Sequence, residues 1–103
     1  MLESKFKHDF IKELEEIFPG CIILHNDAIL MPGIPDTLVL WNENWAMLEF
    51  KKSWQAPKRP NQEYYVGLLD DMSFAAFVYP ENRDEVLDAL QASFRAGRQT
   101  RIP

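Results

Sequence analysis

Asp36, Glu49 and Lys51 carry side chains that can act together on one substrate. Asp36 follows a proline in "GIPDTLVL" (33–40), and Glu49 and Lys51 stand one residue apart in "AMLEFKKS" (46–53). Two carboxylates held close together repel, and each raises the other's pKa unless a cation lies between them. Such an oxygen-rich pair suits a hard divalent ion, Mg2+ or Mn2+, whose open positions take water and phosphate oxygens. An ammonium group beside it can orient a nucleophilic water and stabilise negative charge developing on a phosphate. The three residue types are thus a minimal set for metal-assisted phosphodiester hydrolysis.

Whether the three meet depends on the strands that carry them. "TLVLW" (37–41) and "WAMLEFK" (45–51) read as strands, joined through "NEN" (42–44) as a hairpin. Side chains two apart share a face, so Trp45, Met47, Glu49 and Lys51 line one side, and Ala46, Leu48 and Phe50 the other. If the chain turns between Asn42 and Glu43, Asp36 falls opposite Glu49 with β-carbons about 5 Å apart. A loop one residue longer shifts that register, so the sequence establishes neighbourhood and not pairing. Each motif alone is common: Pro-Asp is a frequent turn dipeptide, and Glu-x-Lys at a strand end is usually a surface ion pair. Their combination on adjacent strands is what points to chemistry.

Periodicity supplies the surrounding elements. Residues 3–18 place Phe6, Phe10, Leu14, Ile17 and Phe18 at helical spacing, and Pro19-Gly20 stops that helix. "CIILH" (21–25) is a short β-rich run, followed by a loop containing Asn26, Asp27, Pro32 and Gly33. The segment 52–60, broken by prolines, reads as a loop. "NQEYYVGLLDDM" (61–72) carries Tyr65, Leu68, Leu69 and Met72 at helical spacing, and "FAAFVY" (74–79) is a compact strand. Asn82 with Glu85 has the pattern of a capping box, opening a last helix that ends before Gly97. The order predicts an α/β or α+β layered domain over residues 1–103, with helices on both faces of a mixed four-stranded sheet. Its first three strands form an antiparallel meander, and the fourth lies parallel to the third across a right-handed crossover.

A chain of 103 residues holds one core. The formal net charge of -5 and sequence pI of about 4.9 weigh against a polyanionic partner, but the charge is unevenly spread. "KKSWQAPKRPNQ" (51–62) carries Lys51, Lys52, Lys58 and Arg59 and no acid, and the stretch after Gln91 carries Arg95, Arg98 and Arg101 and no acid. The acids gather in "KELEE" (12–16) and "ENRDEVLDAL" (81–90). No apolar run is long enough for a membrane helix. A lone cysteine, Cys21, and the absence of a secretory pattern in the first residues fit a reducing cytoplasm. Without a glycine-rich phosphate loop or Cys/His zinc spacing, NTPase and zinc-finger functions fall away.

The motif "GIPD…LEFKKS" resembles that of the PD-(D/E)xK nuclease superfamily, and the expected element order matches its restriction-endonuclease-like αβββαβ core. Within it the chain is most similar to small phage-type nucleases of the virus-type replication-repair group and to Holliday-junction-resolving endonucleases. The resemblance runs from "LESKF" (2–6) through "PNQEYY" (60–65) to "YPENRDEVLDAL" (79–90). It implies a Mg2+- or Mn2+-dependent DNA endonuclease, selective for branched or junction DNA, with Asp36, Glu49 and the carbonyl of Phe50 as metal ligands. Lys51 then takes the role described above, and Gln62 matches a glutamine on the following helix that lies near the site. The chain lacks the overall basic charge of many such enzymes. A non-catalytic nucleic-acid-binding or assembly subunit with the same fold is the alternative.

Four acids on the first helix, Glu3, Glu13, Glu15 and Glu16, compete to join the metal site. The last three crowd its C-terminal turns, where the helix dipole disfavours acids. Glu3 continues the Phe6–Phe10 stripe beyond its apolar end, and "LESKF" resembles the family's helix-start glutamate, so Glu3 is the expected further ligand. Lys52, Trp54, Lys58 and Arg59 are expected to meet nucleic acid, the tryptophan by stacking on unpaired bases. Tyr64 and Tyr65 flank the same strip, with Tyr65 expected in the core. Trp41 and Trp45 are expected to pack, His8 to lie on the surface, and His25 to serve a structural role. Symmetric cleavage of a four-way junction needs two sites, so a homodimer is the expected assembly.

Overall fold

The computed structural model describes residues 2–27 and 29–96. The chain forms α1 (Glu3–Ile17), β1 (Ile22–His25), β2 (Thr37–Trp41), β3 (Asn44–Phe50), α2 (Pro60–Met72), β4 (Ala75–Val78), a 3-10 turn (Pro80–Asn82) and α3 (Arg83–Ala96). The sheet has the order β1-β2-β3-β4, with β1–β2 and β2–β3 antiparallel and β3–β4 parallel. This is the mixed four-stranded α+β arrangement that the periodicity predicts.

Alternation along the strands sorts the two faces. Val39, Ala46, Leu48, Phe50 and Val78 turn to one side and are buried there by Phe6, Phe10 and Leu14 of α1 and Val86, Leu87, Leu90 and Phe94 of α3. Phe50 is wedged edge-on between Phe6 and Phe10, at centroid distances of 6.0 and 5.5 Å. At the other end Phe18 packs on Trp41 and Phe94. α1 and α3 are also linked by an Arg83–Glu13 ion pair. Fully burying one such aromatic side chain contributes about 2–3 kcal/mol, so this layer carries most of the stabilisation.

α2 covers the opposite side, over β3 and β4, and buries none of its residues completely. Tyr65 is half-buried there and not in the core. The helix instead shows water a row of Tyr64, Leu68 and Met72. The outer parts of Ile22 and Leu24 on β1 are likewise exposed.

One local expectation is corrected. Asn82 does not cap α3: its Oδ1 accepts from Tyr79 N at 2.9 Å, and its Nδ2 donates to Phe77 O at 2.9 Å. Pro80 opens a 3-10 turn ahead of the helix, and this brings the Tyr79 amide within reach of Asn82. Gly97, Arg98 and Arg101 lie outside the described residues.

Candidate active site

The hairpin decides the site's geometry. Trp41 pairs with Asn44, so the turn is Asn42-Glu43, with Asn42 at a left-handed φ of 55° that an asparagine tolerates. The register then runs back through Leu38–Met47 to Thr37–Leu48. One step further Asp36 stands across from Glu49. Asp36 N donates to Glu49 Oε1 at 3.2 Å, and Phe50 N reaches Asp36 Oδ2 at 3.4 Å. Thr37 Oγ1, fully buried, donates to Asp36 Oδ1 at 2.6 Å and fixes the carboxylate's orientation.

Glu49 is 8% exposed, and it is the buried charge of the protein that most needs explaining. Its carboxyl is pushed from an ordinary 4.5 up to about 7, first by burial and then by the neighbouring charge of Asp36, while Lys51 opposes the shift. The charge of Glu3 pushes in the same direction as Asp36. A divalent cation relieves the repulsion that remains in a pair of this kind.

Lys51 follows the last residue of β3, with its amide still bonded to Val78 O at 2.9 Å. Its Nζ donates to Gln62 Oε1 at 3.0 Å. The same oxygen accepts the Arg59 amide at 3.0 Å, while Glu63 N returns to Arg59 O at 3.0 Å. Gln62 is therefore held at the start of α2 by the helix's own capping. With its oxygen committed to Lys51, its Nε2 faces Glu49 Oε2 at 3.5 Å. The amide thus bridges the base and the acid.

Two clefts meet at this bridge. One, of about 420 Å³, is lined by Glu3, Lys51, Lys52, Ala56, Pro57, Arg59 and Gln62. The other, of about 250 Å³, runs past Gly33, Asp36, Glu49, Arg59 and Asn61. Its wall requires a glycine. Gly33 has φ +94°, and a Cβ there would come within 2.8–2.9 Å of Asn61. Asn26 closes the base of the preceding loop through bonds to Pro35 O and Asp36 O, both 2.8 Å.

The sequence-derived candidates fall into three groups. Asp36, Glu49, Lys51 and Gln62 are brought together. Glu3 is exposed on the larger cleft beside Lys51. Among the described residues no group of three or more His, Cys, Asp or Glu gathers to hold a metal ion. Glu3 starts α1 at the edge of the larger cleft, from where its charge acts on Glu49. Asp36, Glu49 and the adjacent carbonyl of Phe50 are groups that could hold a metal ion, with Glu3 at the cleft edge. Lys52 and Arg59 are exposed on the cleft and Trp54 is 56% exposed. Lys58 is committed internally: its Nζ bonds Trp54 O at 3.3 Å and lies over the Phe77 and Tyr79 rings. These contacts shape the basic loop beside the cleft.

Lys7 is the residue the sequence reading overlooked. Its Nζ lies 3.6 Å from Asp36 Oδ1. The signal was its position one helical turn after Glu3, which sends both side chains to the same end of the sheet.

The α+β fold that carries the paired acids has a counterpart among solved structures. A solved structure described as a VRR_NUC domain protein is similar with a TM-score of 0.67, covering 94% of this chain and 91% of that one. The two are 14% identical, so the likeness is one of fold. No family model matches the sequence, and neither does any curated protein. No described helix is long and apolar enough to cross a membrane.

Proposed function

We propose that this chain is a Mg2+- or Mn2+-dependent DNA endonuclease that prefers branched or junction DNA and works as a homodimer. The observation that carries the proposal is the Asp36–Glu49 pair, joined through Gln62 to Lys51 in a fold shared with a VRR_NUC domain protein. Asp36, Glu49 and the Phe50 carbonyl would hold the ion. When bound, it would polarise the phosphate and lower the pKa of a coordinated water.

The chain's own residues do the rest. Lys51 presents an ammonium next to the acids, where it can orient the attacking water and stabilise charge on the phosphate oxygens. Gln62 keeps that ammonium in place. Arg59 and Lys52 face the strand's phosphates from the cleft wall, and Trp54 offers a stacking surface beside them.

The test is incubation of purified protein with labelled junction, flap, duplex and single-stranded DNA. Cleavage is expected with Mg2+ or Mn2+, strongest on branched substrates, with little in Ca2+ and none in excess chelator. Asp36→Asn and Lys51→Ala are expected to abolish it in folded protein. Undiminished cleavage in chelator would overturn the metal assignment. DNA binding with no cleavage in any metal would make the chain a non-catalytic binding subunit.

A further inference from the structure

Lys7 extends from α1 to the carboxylate that the proposed function gives to a metal. Its ammonium is 3.6 Å from Asp36 Oδ1 and 5.5 Å from the centre of the Phe50 ring. The side chain is 24% exposed, so the stem is packed while the tip reaches the acid. A positive charge therefore already stands beside the Asp36 carboxylate. An ammonium and a divalent ion a few ångströms apart repel steeply in a half-buried site, so the two compete for Asp36.

There is room for the loser. Lys7 also borders an open cleft of about 290 Å³ that it shares with Ser4, His8, Ile11 and His25. That lining offers a hydroxyl and imidazoles and includes no carboxylate, the nearby Asp9 being paired with Lys5 and His8, so an ammonium turned into the cleft is available to an anion.

We infer that Lys7 is the resident counter-ion of Asp36, that a divalent ion displaces it from that carboxylate, and that the freed ammonium then meets a phosphate of the nucleic-acid strand. The inference rests on the metal-dependent nuclease assignment and adds a coupling to it. Metal entry creates a phosphate contact, so metal and DNA each strengthen the binding of the other.

Calorimetric titration with Mn2+ or Ca2+, in the absence of DNA, tests this without any cleavage. Lys7→Met keeps the stem on Phe50 and removes the charge. It is expected to bind the ion about tenfold more tightly than the wild type. Lys7→Arg should stay within about threefold of it. Lys5→Met controls for net charge, since Lys5 pairs with Asp9 on the exposed side of α1. It should bind as the wild type does. Should Lys7→Met fail to fold, Lys7→Gln replaces it. In a second measurement Ca2+ should tighten junction binding by wild type and do so much less for Lys7→Met. Equal or weaker metal affinity in folded Lys7→Met overturns the inference while leaving the nuclease assignment standing. A wild type that binds no divalent ion overturns both.

Discussion

Glu49 shows what the site costs the fold. A carboxyl whose folded pKa is about 7 against an ordinary 4.5 binds a proton more readily in the native state than in the unfolded one. Stability from this group is therefore fully present below about pH 4.5 and is lost as pH rises through 7. The loss is on the order of 2 kcal/mol, several degrees in thermal midpoint for a chain of this size. Glu49→Gln keeps an oxygen for the Asp36 amide and removes the charge. In chelator at pH 8 its midpoint should exceed that of the wild type by several degrees, and at pH 4 the two should nearly coincide. A wild-type midpoint that climbs between pH 5 and 8 relative to Glu49→Gln would contradict the burial of that charge. The same substitution should abolish cleavage, the trade of stability against function expected of a strained site.

At the scale of elements, the site depends on two contacts that bring separate segments to one place. Gly33 lets the loop before β2 press against the first turn of α2, and Gln62 on that turn reaches back to Lys51 and Glu49. Gly33→Ala adds a methyl at φ +94° and against Asn61, and should destabilise the protein by about 2 kcal/mol. Its cleavage rate should fall further than its stability predicts, because Asp36 moves with the loop. Stability lost with the rate unchanged would show that the loop does not position Asp36. α1 supplies a second comparison. Glu3 shares the larger cleft with Lys51, while Glu15 lies at the opposite end of the helix. Glu3→Gln should slow cleavage about tenfold, roughly 1.4 kcal/mol of transition-state stabilisation, and Glu15→Gln should leave it unchanged. The reverse ranking would remove Glu3 from the site.

These contacts also explain what could be read from the chain beforehand. The element order and the neighbourhood of Asp36 and Glu49 follow from local rules and a period of two, while their direct opposition needed the two-residue turn after Trp41 that the structure shows. The spacing from Glu3 sends Lys7 toward the site end of the sheet, but its contact with Asp36, like the contacts of Lys58, depends on where α1 and β4 arrive in space. Asn82 misled because its capping pattern was real, but a proline two residues earlier diverted the side chain into the 3-10 turn.

For the molecule as a whole, the acidic balance and the proposed pairing of two chains govern how DNA would be engaged. A formal charge of -5 opposes approach to DNA, yet the cleft itself carries Lys51, Lys52 and Arg59. Binding should therefore be weak and steeply salt-dependent unless the cleft is duplicated. One chain brings one acid pair, and symmetric cutting of a four-way junction needs two. The row of Tyr64, Leu68 and Met72 on α2, 62%, 38% and 64% exposed, offers a place for that second copy. Residues four apart lie on one helical ridge, and a ridge meeting its own copy across a two-fold axis satisfies the symmetry of a closed dimer. The exposed Ile29 and Leu30 are a poorer choice, since their loop leads into the cleft wall at Gly33 and covering it would obstruct the substrate. Light scattering should thus give twice the 12.1 kDa of one chain. Leu68→Glu should return it to a single chain, with the intrinsic fold intact and paired cuts replaced by single nicks. Paired cuts made at concentrations where scattering shows single chains only would dismiss the α2 interface.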